Sequence, residues 1–167
     1  MERKDYLSKD KWYKLGEDYE RKFVTEICPF LGLPIIINPA KETNKSAPDL
    51  FNIETQRVAD LKVKTTPFYS APKFKFDPQF TIIFSTYEYN YYLKAYPEIM
   101  LYFWVKYARQ LEKKIIFMYG IWEAELSEIR IMVDFKLAPI FHFKHKHSSE
   151  QDSHVILLDL KQFKRLL

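Results

Sequence analysis

Leu15, Tyr19, Phe23 and Ile27 recur at every fourth position, with Glu17, Asp18, Lys22 and Glu26 between them, and that period predicts a helix over 14–30. Pro29 and Gly32 mark its end. The run PIIINP (34–39) predicts a short buried strand bounded by prolines, and the polar segment 40–47 predicts a loop. Two short stretches, 50–54 and 57–65, joined by a polar turn at Thr55 and Gln56, predict a pair of strands. An irregular stretch with three prolines fills 66–79, and 80–85 predicts another strand.

Pro97 suits the first turn of a helix, expected to run to Lys113 and apolar on nearly every side except for a strip of Lys106, Arg109 and Lys113. Residues 114–122 predict a strand and 123–135 a second helix. Two more strands are expected at 140–144 and 155–160, around a polar loop at 148–153, and a short basic helix at 161–167. With no internal repeat and no linker, this order predicts one α/β domain with a mixed sheet.

Composition narrows the picture. A chain of 167 residues supports one domain with a proper core, and 47% apolar with 17% aromatic residues exclude a disordered chain. Three glycines leave no glycine-rich phosphate loop, so neither a dinucleotide fingerprint nor a P-loop is present. Cys28, the single cysteine, cannot form an internal disulfide, and the charged start MERKDYLSKDKW carries no apolar signal segment; a cytoplasmic location is expected. The longest apolar run, 99–105, is soon interrupted by Lys106 and Arg109, so no membrane span is expected. A net charge of +4 is compatible with a polyanionic partner.

The candidate chemistry lies in SAPDLFNIETQRVADLKVKTTPFY (46–69). Strand alternation puts Val58, Asp60, Lys62 and Lys64 on one face and the apolar Ala59, Leu61 and Val63 on the other. Asp60 and Lys62 then stand about 7 Å apart along the strand. Asp49, at the mouth of the preceding strand, can fall beside Asp60. Two carboxylates held together repel unless a cation sits between them or one keeps its proton. A hard divalent ion resolves this, and Mg²⁺ suits two carboxylates and several waters. A lysine alongside can orient a water or offset charge on a phosphate oxygen. The set suits phosphodiester hydrolysis. The plainer alternative makes Asp60 and Lys62 a solvated surface ion pair, worth little.

Pro48-Asp49, followed after ten residues by Asp60-Leu61-Lys62, resembles the PD-(D/E)xK signature of restriction-endonuclease-like nucleases. Gly16-Glu17-Asp18-Tyr19-Glu20 resembles the Gly-x-x-x-Glu start of Holliday-junction resolvases and their relatives. The resemblance covers roughly 15–65. It implies a restriction-endonuclease-like α/β core, with a central mixed β-sheet flanked by helices, and DNA as substrate. It also implies a site in which Asp49, Asp60 and the main-chain carbonyl of Leu61 hold Mg²⁺, with Mn²⁺ as a substitute. Glu20 would complete that site and Lys62 would position water or stabilise the transition state. Glu17 is a rival for the place of Glu20, which lies beside the apolar stripe of Tyr19, Phe23 and Ile27. The alternative is a catalytically inactive nucleic-acid-binding or assembly protein that keeps the fold.

Lys64, Lys73, Lys75, Lys144 and Lys146 are the candidate nucleic-acid contacts. Lys73 and Lys75 alternate with Phe74 and Phe76, so a simpler arrangement has the rings inward and the lysines in water. His142, His145 and His147 invite a zinc site, but the lysines between them would repel a cation. Tyr87, Tyr89, Tyr91, Tyr92 and Tyr96 could stack on unpaired bases, or form core or dimer surface. The apolar helix expected at 97–113 adds weight to a homodimer, and Cys28 reads as a packing residue.

Overall fold

The computed structural model describes residues 9–111, 114–142 and 154–167. Helix α1 (Lys9–Lys22) passes through a widened turn at Phe23–Ile27 into α2 (Cys28–Leu31). Pro29 supplies the cause of the widening. It has no N–H and its ring would clash with the carbonyl four residues back, so the ladder slips and the Cys28 N–H donates to the Phe23 carbonyl. Gly32, with φ 66°, closes the helix in the left-handed conformation.

Strands β1 (Ile35–Ile37), β2 (Leu50–Asn52) and β3 (Arg57–Lys64) form an antiparallel meander. After β4 (Thr81–Ser85) and helix α3 (Thr86–Ala95), the chain crosses over to β5 (Met100–Leu111), which pairs parallel to β3. A long hairpin then leads into β6 (Lys114–Glu125) and α4 (Leu126–Asp134). The last strands are β7 (Ile140–His142), β8 (His154–Asp159) and the two-residue β9 (Lys164–Arg165). One mixed six-stranded sheet has the order β1-β2-β3-β5-β6-β9, and a three-stranded sheet has the order β4-β8-β7.

The large sheet is covered on both faces. Phe23 and Cys28 pack on Ile35, Leu50, Ala59, Leu61, Tyr102, Trp104 and Ile121 on one side. On the other, Leu101, Phe103, Val105 and Trp122 meet Ile82, Phe84, Ile156 and Leu158 of the small sheet, Tyr89 and Tyr92 of α3, and Leu126 and Ile129 of α4. The molecule is therefore an α/β fold with a mixed sheet flanked by helices. No described helix is long and apolar enough to cross a membrane.

Three elements differ from the sequence expectation. Residues 100–111 are a strand, not part of a helix at 97–113. Leu101, Phe103 and Val105 fill one core while Tyr102 and Trp104 fill the other, and a segment buried on both faces shows no alternation to separate strand from helix. Pro97 lies just past the end of α3, where proline is also common. The apolar helix face invoked for a homodimer is thus a central strand. The tyrosine run forms α3, which had no predicted counterpart, with Tyr89 and Tyr92 in the core. The C-terminal segment is a single tight turn at Leu160–Gln162 followed by β9, not a helix.

Candidate functional site

Strand pairing brings Asp49 to Asp60. Leu50 pairs with Ala59 in the antiparallel β2–β3 register, so the residue before one faces the residue after the other. The connecting turn fixes that register: the Asn52 side chain accepts from the Glu54 and Thr55 N–H groups, and Gln56 takes φ 55°. Because β2 reaches only to Ala59, the edge of β3 beyond it pairs with β5 on one side and with no described strand on the other. Asp49 and Asp60 lie where that open edge begins.

Asp60 is only 3% exposed, so the solvated outer face considered for it does not exist. Helix α3 closes over that face. Asp60 Oδ2 lies 2.6 Å from Lys62 Nζ, and Lys62 Nζ lies 2.7 Å from Glu88 Oε1. Tyr92, one turn beyond Glu88 on α3, places its hydroxyl within hydrogen-bonding reach of Asp60. Burial opposes the charges on both Asp60 and Lys62, but their attraction outweighs it. The Asp60 carboxyl is held below its ordinary range and the Lys62 ammonium above its own. Lys62 is therefore a fixed cation between two carboxylates.

Asp49 has the opposite balance. Burial and the adjacent Asp60 charge push its carboxyl up to about 8, against a lowering contribution from Lys41. In this arrangement Asp49 keeps a proton that the pair shares, the second of the two ways in which facing carboxylates avoid repulsion.

Lys41 is the residue that the sequence did not single out. It stands on a short turn, Pro39–Glu42, that opens at the buried Asn38. The Asn38 side chain accepts from the Ala40 N–H at 3.1 Å and donates to the Pro48 carbonyl at 2.8 Å, tying the Lys41 turn to the backbone before Asp49. Lys41 Nζ then lies 2.6 Å from Glu20 Oε2 and 2.7 Å from Asp49 Oδ1. Glu20, not the exposed Glu17, is the helix glutamate that joins the cluster. No sequence signal marks Lys41, because its partners are brought near only by tertiary packing. Glu88 did carry one: Ser85-x-x-Glu88 is the start of a capping box, and the Ser85 hydroxyl accepts from the Glu88 N–H.

Two hollows flank the open edge of β3. One, of about 290 Å³, is lined by Gly16, Tyr19, Glu20, Asp49, Leu61 and Val63. The other, of about 320 Å³, lies between Lys62, Lys64, Pro67 and Phe68 on one side and Thr81 to Ile83 of β4 on the other. Leu61 lines both, and the cluster lies between them.

The donor set of Glu20, Asp49, Asp60 and a main-chain carbonyl is all oxygen, which is the chemistry of a hard divalent ion. A cation would also relieve the Asp49–Asp60 repulsion. As the side chains stand, however, no group of three or more His, Cys, Asp or Glu among the described residues is close enough to hold a metal ion. Lys41 occupies the space between Glu20 and Asp49 instead.

The remaining candidates are more dispersed. Lys64 turns inward and donates to the carbonyls of Pro78, Gln79 and Thr81, so its ammonium serves the fold rather than an external phosphate. Lys73 and Lys75 are exposed, with Phe74 and Phe76 partly buried between them. Cys28 is buried and inert, its thiol pushed up to about 12 by burial. Lys144, Lys146, His145 and His147 lie outside the described residues. No protein-family model, curated protein or solved structure matches the chain.

Proposed function

We propose that this protein is a metal-dependent nuclease that hydrolyses DNA phosphodiester bonds, in the cytoplasm, with Mg²⁺ (or Mn²⁺) as its cofactor. The observation that carries this is the Asp49–Asp60 pair at an open strand edge, Asp60 buried and Asp49 partly so, with Lys62 2.6 Å from Asp60. Burying an isolated charge pair is a weak route to stability, and replacing such groups with apolar residues is often neutral or better. Charges kept at this cost, in this order along the chain, agree with the PD-(D/E)xK resemblance. So does the order of helix, strand, strand bearing Asp49 at its mouth, and strand bearing Asp60 and Lys62.

Asp49, Asp60 and the Leu61 carbonyl would hold the ion, with Glu20 completing the set. A bound divalent ion supplies charge neutralisation at the scissile phosphate and makes an attacking water more acidic. The chain's own part is positional. Lys62, kept cationic by Asp60 and Glu88, donates hydrogen bonds and cannot accept a proton. Its role is to orient the water or to meet the charge that develops on the phosphoryl oxygens. The two hollows give a nucleic-acid strand room to lie across the β3 edge.

One observation favours a second reading, a non-catalytic nucleic-acid-binding or assembly protein: the Lys41 ammonium already stands between Glu20 and Asp49. The deciding experiment is cleavage of single-stranded, duplex, flap and four-way-junction DNA with Mg²⁺ or Mn²⁺, against Lys62→Ala. Metal-dependent cutting lost in the variant supports the nuclease. DNA binding without cutting, and without any metal-dependent thermal stabilisation, supports the second reading.

A further inference from the structure

Lys41 holds Glu20 and Asp49 together from a position between them. Its ammonium contacts one oxygen of Glu20 at 2.6 Å and one of Asp49 at 2.7 Å, and all three side chains are mostly buried, with exposures of 23%, 13% and 23% for Lys41, Glu20 and Asp49. An ammonium held between two carboxyl groups with little water stands where an inorganic cation would, with less charge.

The geometry also shows what that substitution costs the site. A Mg²⁺–oxygen distance is about 2.0–2.1 Å, shorter than either Lys41 contact. An ion would draw Glu20 and Asp49 closer together than the ammonium holds them. No ready group of three such ligands occurs among the described residues.

The anchoring of Lys41 is local and short. It stands third in a four-residue turn whose start is pinned by Asn38, and the chain just past that turn, at Thr43 and Asn44, is exposed. The turn can hold the ammonium in place, and the long side chain can withdraw without unfolding the strands.

We infer that Lys41 is a built-in competitor for the divalent ion, its ammonium occupying the place between Glu20 and Asp49 that the ion would take. This rests on the nuclease reading for the identity of the ion, and its test separates the two. Entry of the ion requires the ammonium to leave, so the wild-type protein binds metal more weakly than its carboxylates alone would allow. The released lysine, still tethered beside Glu20 and Asp49, would then be a free cation next to the ion.

The experiment compares wild type, Lys41→Met and Lys41→Gln by calorimetric titration with Mn²⁺ and by thermal melting with and without it. The inference expects both variants to melt lower than wild type without metal, and to bind Mn²⁺ at least tenfold more tightly, about 1.4 kcal/mol. Lys41→Gln keeps an N–H donor and guards against a variant that fails to fold. A wild-type measurement adds a check: Mn²⁺ should raise acylation of Lys41 relative to the exposed Lys73, read by mass spectrometry. Tighter binding by the variants where wild type binds nothing keeps the inference and sinks the nuclease reading. Equal or weaker binding by the variants, with wild type binding metal, overturns the inference and leaves the nuclease standing. Absence of binding by all three overturns both.

Discussion

Glu88 Oε1 lies 2.7 Å from Lys62 Nζ, joining a helix that opens 22 residues after β3 ends to the lysine at the centre of that strand. The contact leaves Lys62 with two carboxylate partners, and only Asp60 belongs to its own strand. Glu88→Gln removes the charge of one partner while keeping an acceptor, and so weakens the hold on Lys62 from the α3 side. Since Glu88 is 38% exposed, the expected loss of stability is small, about 1 kcal/mol or less. On the proposed nuclease reading, the loss of DNA cleavage would be larger, on the order of ten- to a hundredfold in kcat with KM little changed, because the lysine is misplaced rather than removed. Steady-state kinetics beside a urea melt would check this, and equal losses in both would show that Glu88 is merely structural.

Tyr92 serves the same strand from the next turn of the same helix. Its hydroxyl is within reach of Asp60, which is almost completely shielded from water. Tyr92→Phe keeps the ring and its packing on Phe84, with centroids 6.4 Å apart, and deletes only the hydroxyl. A hydrogen bond to a buried charge contributes about 1.5–3 kcal/mol, so the variant should lose stability in that range. The loss should shrink in an Asp60→Asn background, where the charge is gone. A double-mutant cycle measures that coupling, and strict additivity would break the proposed contact.

Which parts of this arrangement could be read from the sequence follows from burial. The first helix was readable because it buries one side, and one-sided burial leaves a period; β3 was readable because Ala59, Leu61 and Val63 alternate with the charged Asp60, Lys62 and Lys64. The facing of Asp49 and Asp60 was readable too, since a short turn fixes an antiparallel register. Strand β5 was not, because Tyr102 and Phe103 are equally buried on opposite faces. Helix α3 hid behind its tyrosines, which have weak helix propensity, with only the Ser85–Glu88 cap to announce it. Lys41 had no local signal at all. Its partner Glu20 is 21 residues away, and only the packing of the first helix on the sheet brings them together.

Lys64 offers a test that does not depend on activity. Three carbonyls surround its ammonium, and burial pushes it down to about 8 from the ordinary 10.5, with Asp77 pulling weakly the other way. For a base whose folded-state pKa lies below the unfolded value, the unfolded chain binds more protons between the two. Stability attributable to Lys64 therefore rises with pH from about 8 to about 10.5, and the penalty is fully present below 8. Lys64→Met lacks this dependence and leaves the carbonyls of Pro78, Gln79 and Thr81 without their donor, at a cost of about 1–3 kcal/mol. Urea unfolding of the two proteins across that range should show wild type more stable at neutral pH and the gap widening as pH rises. A gap that narrows would mean that the carbonyls favour the charged form more than burial disfavours it.

Asn38 gives the sharpest separation of scaffold from chemistry. It touches none of the acidic side chains, yet its N–H donates to the Asp49 carbonyl at 2.9 Å and its side chain binds both Pro48 and the Lys41 turn. At 5% exposure, none of these groups has water to fall back on. Asn38→Asp preserves the acceptor for the Ala40 N–H but has no donor for the Pro48 carbonyl, and it adds a buried charge near Asp49. Asn38→Ser keeps a short hydroxyl that can cap the turn without that charge. The expected order of stability is wild type, then Ser, then Asp, with the Ser variant about 1–3 kcal/mol below wild type and the Asp variant lower still. The Asp variant should regain part of its loss at acid pH, where its new carboxyl is protonated and can donate to Pro48. Urea melts at neutral and acid pH test this directly: no recovery on acidification would mean that the Pro48 carbonyl does not need its donor, and that Asp49 is positioned by strand pairing alone.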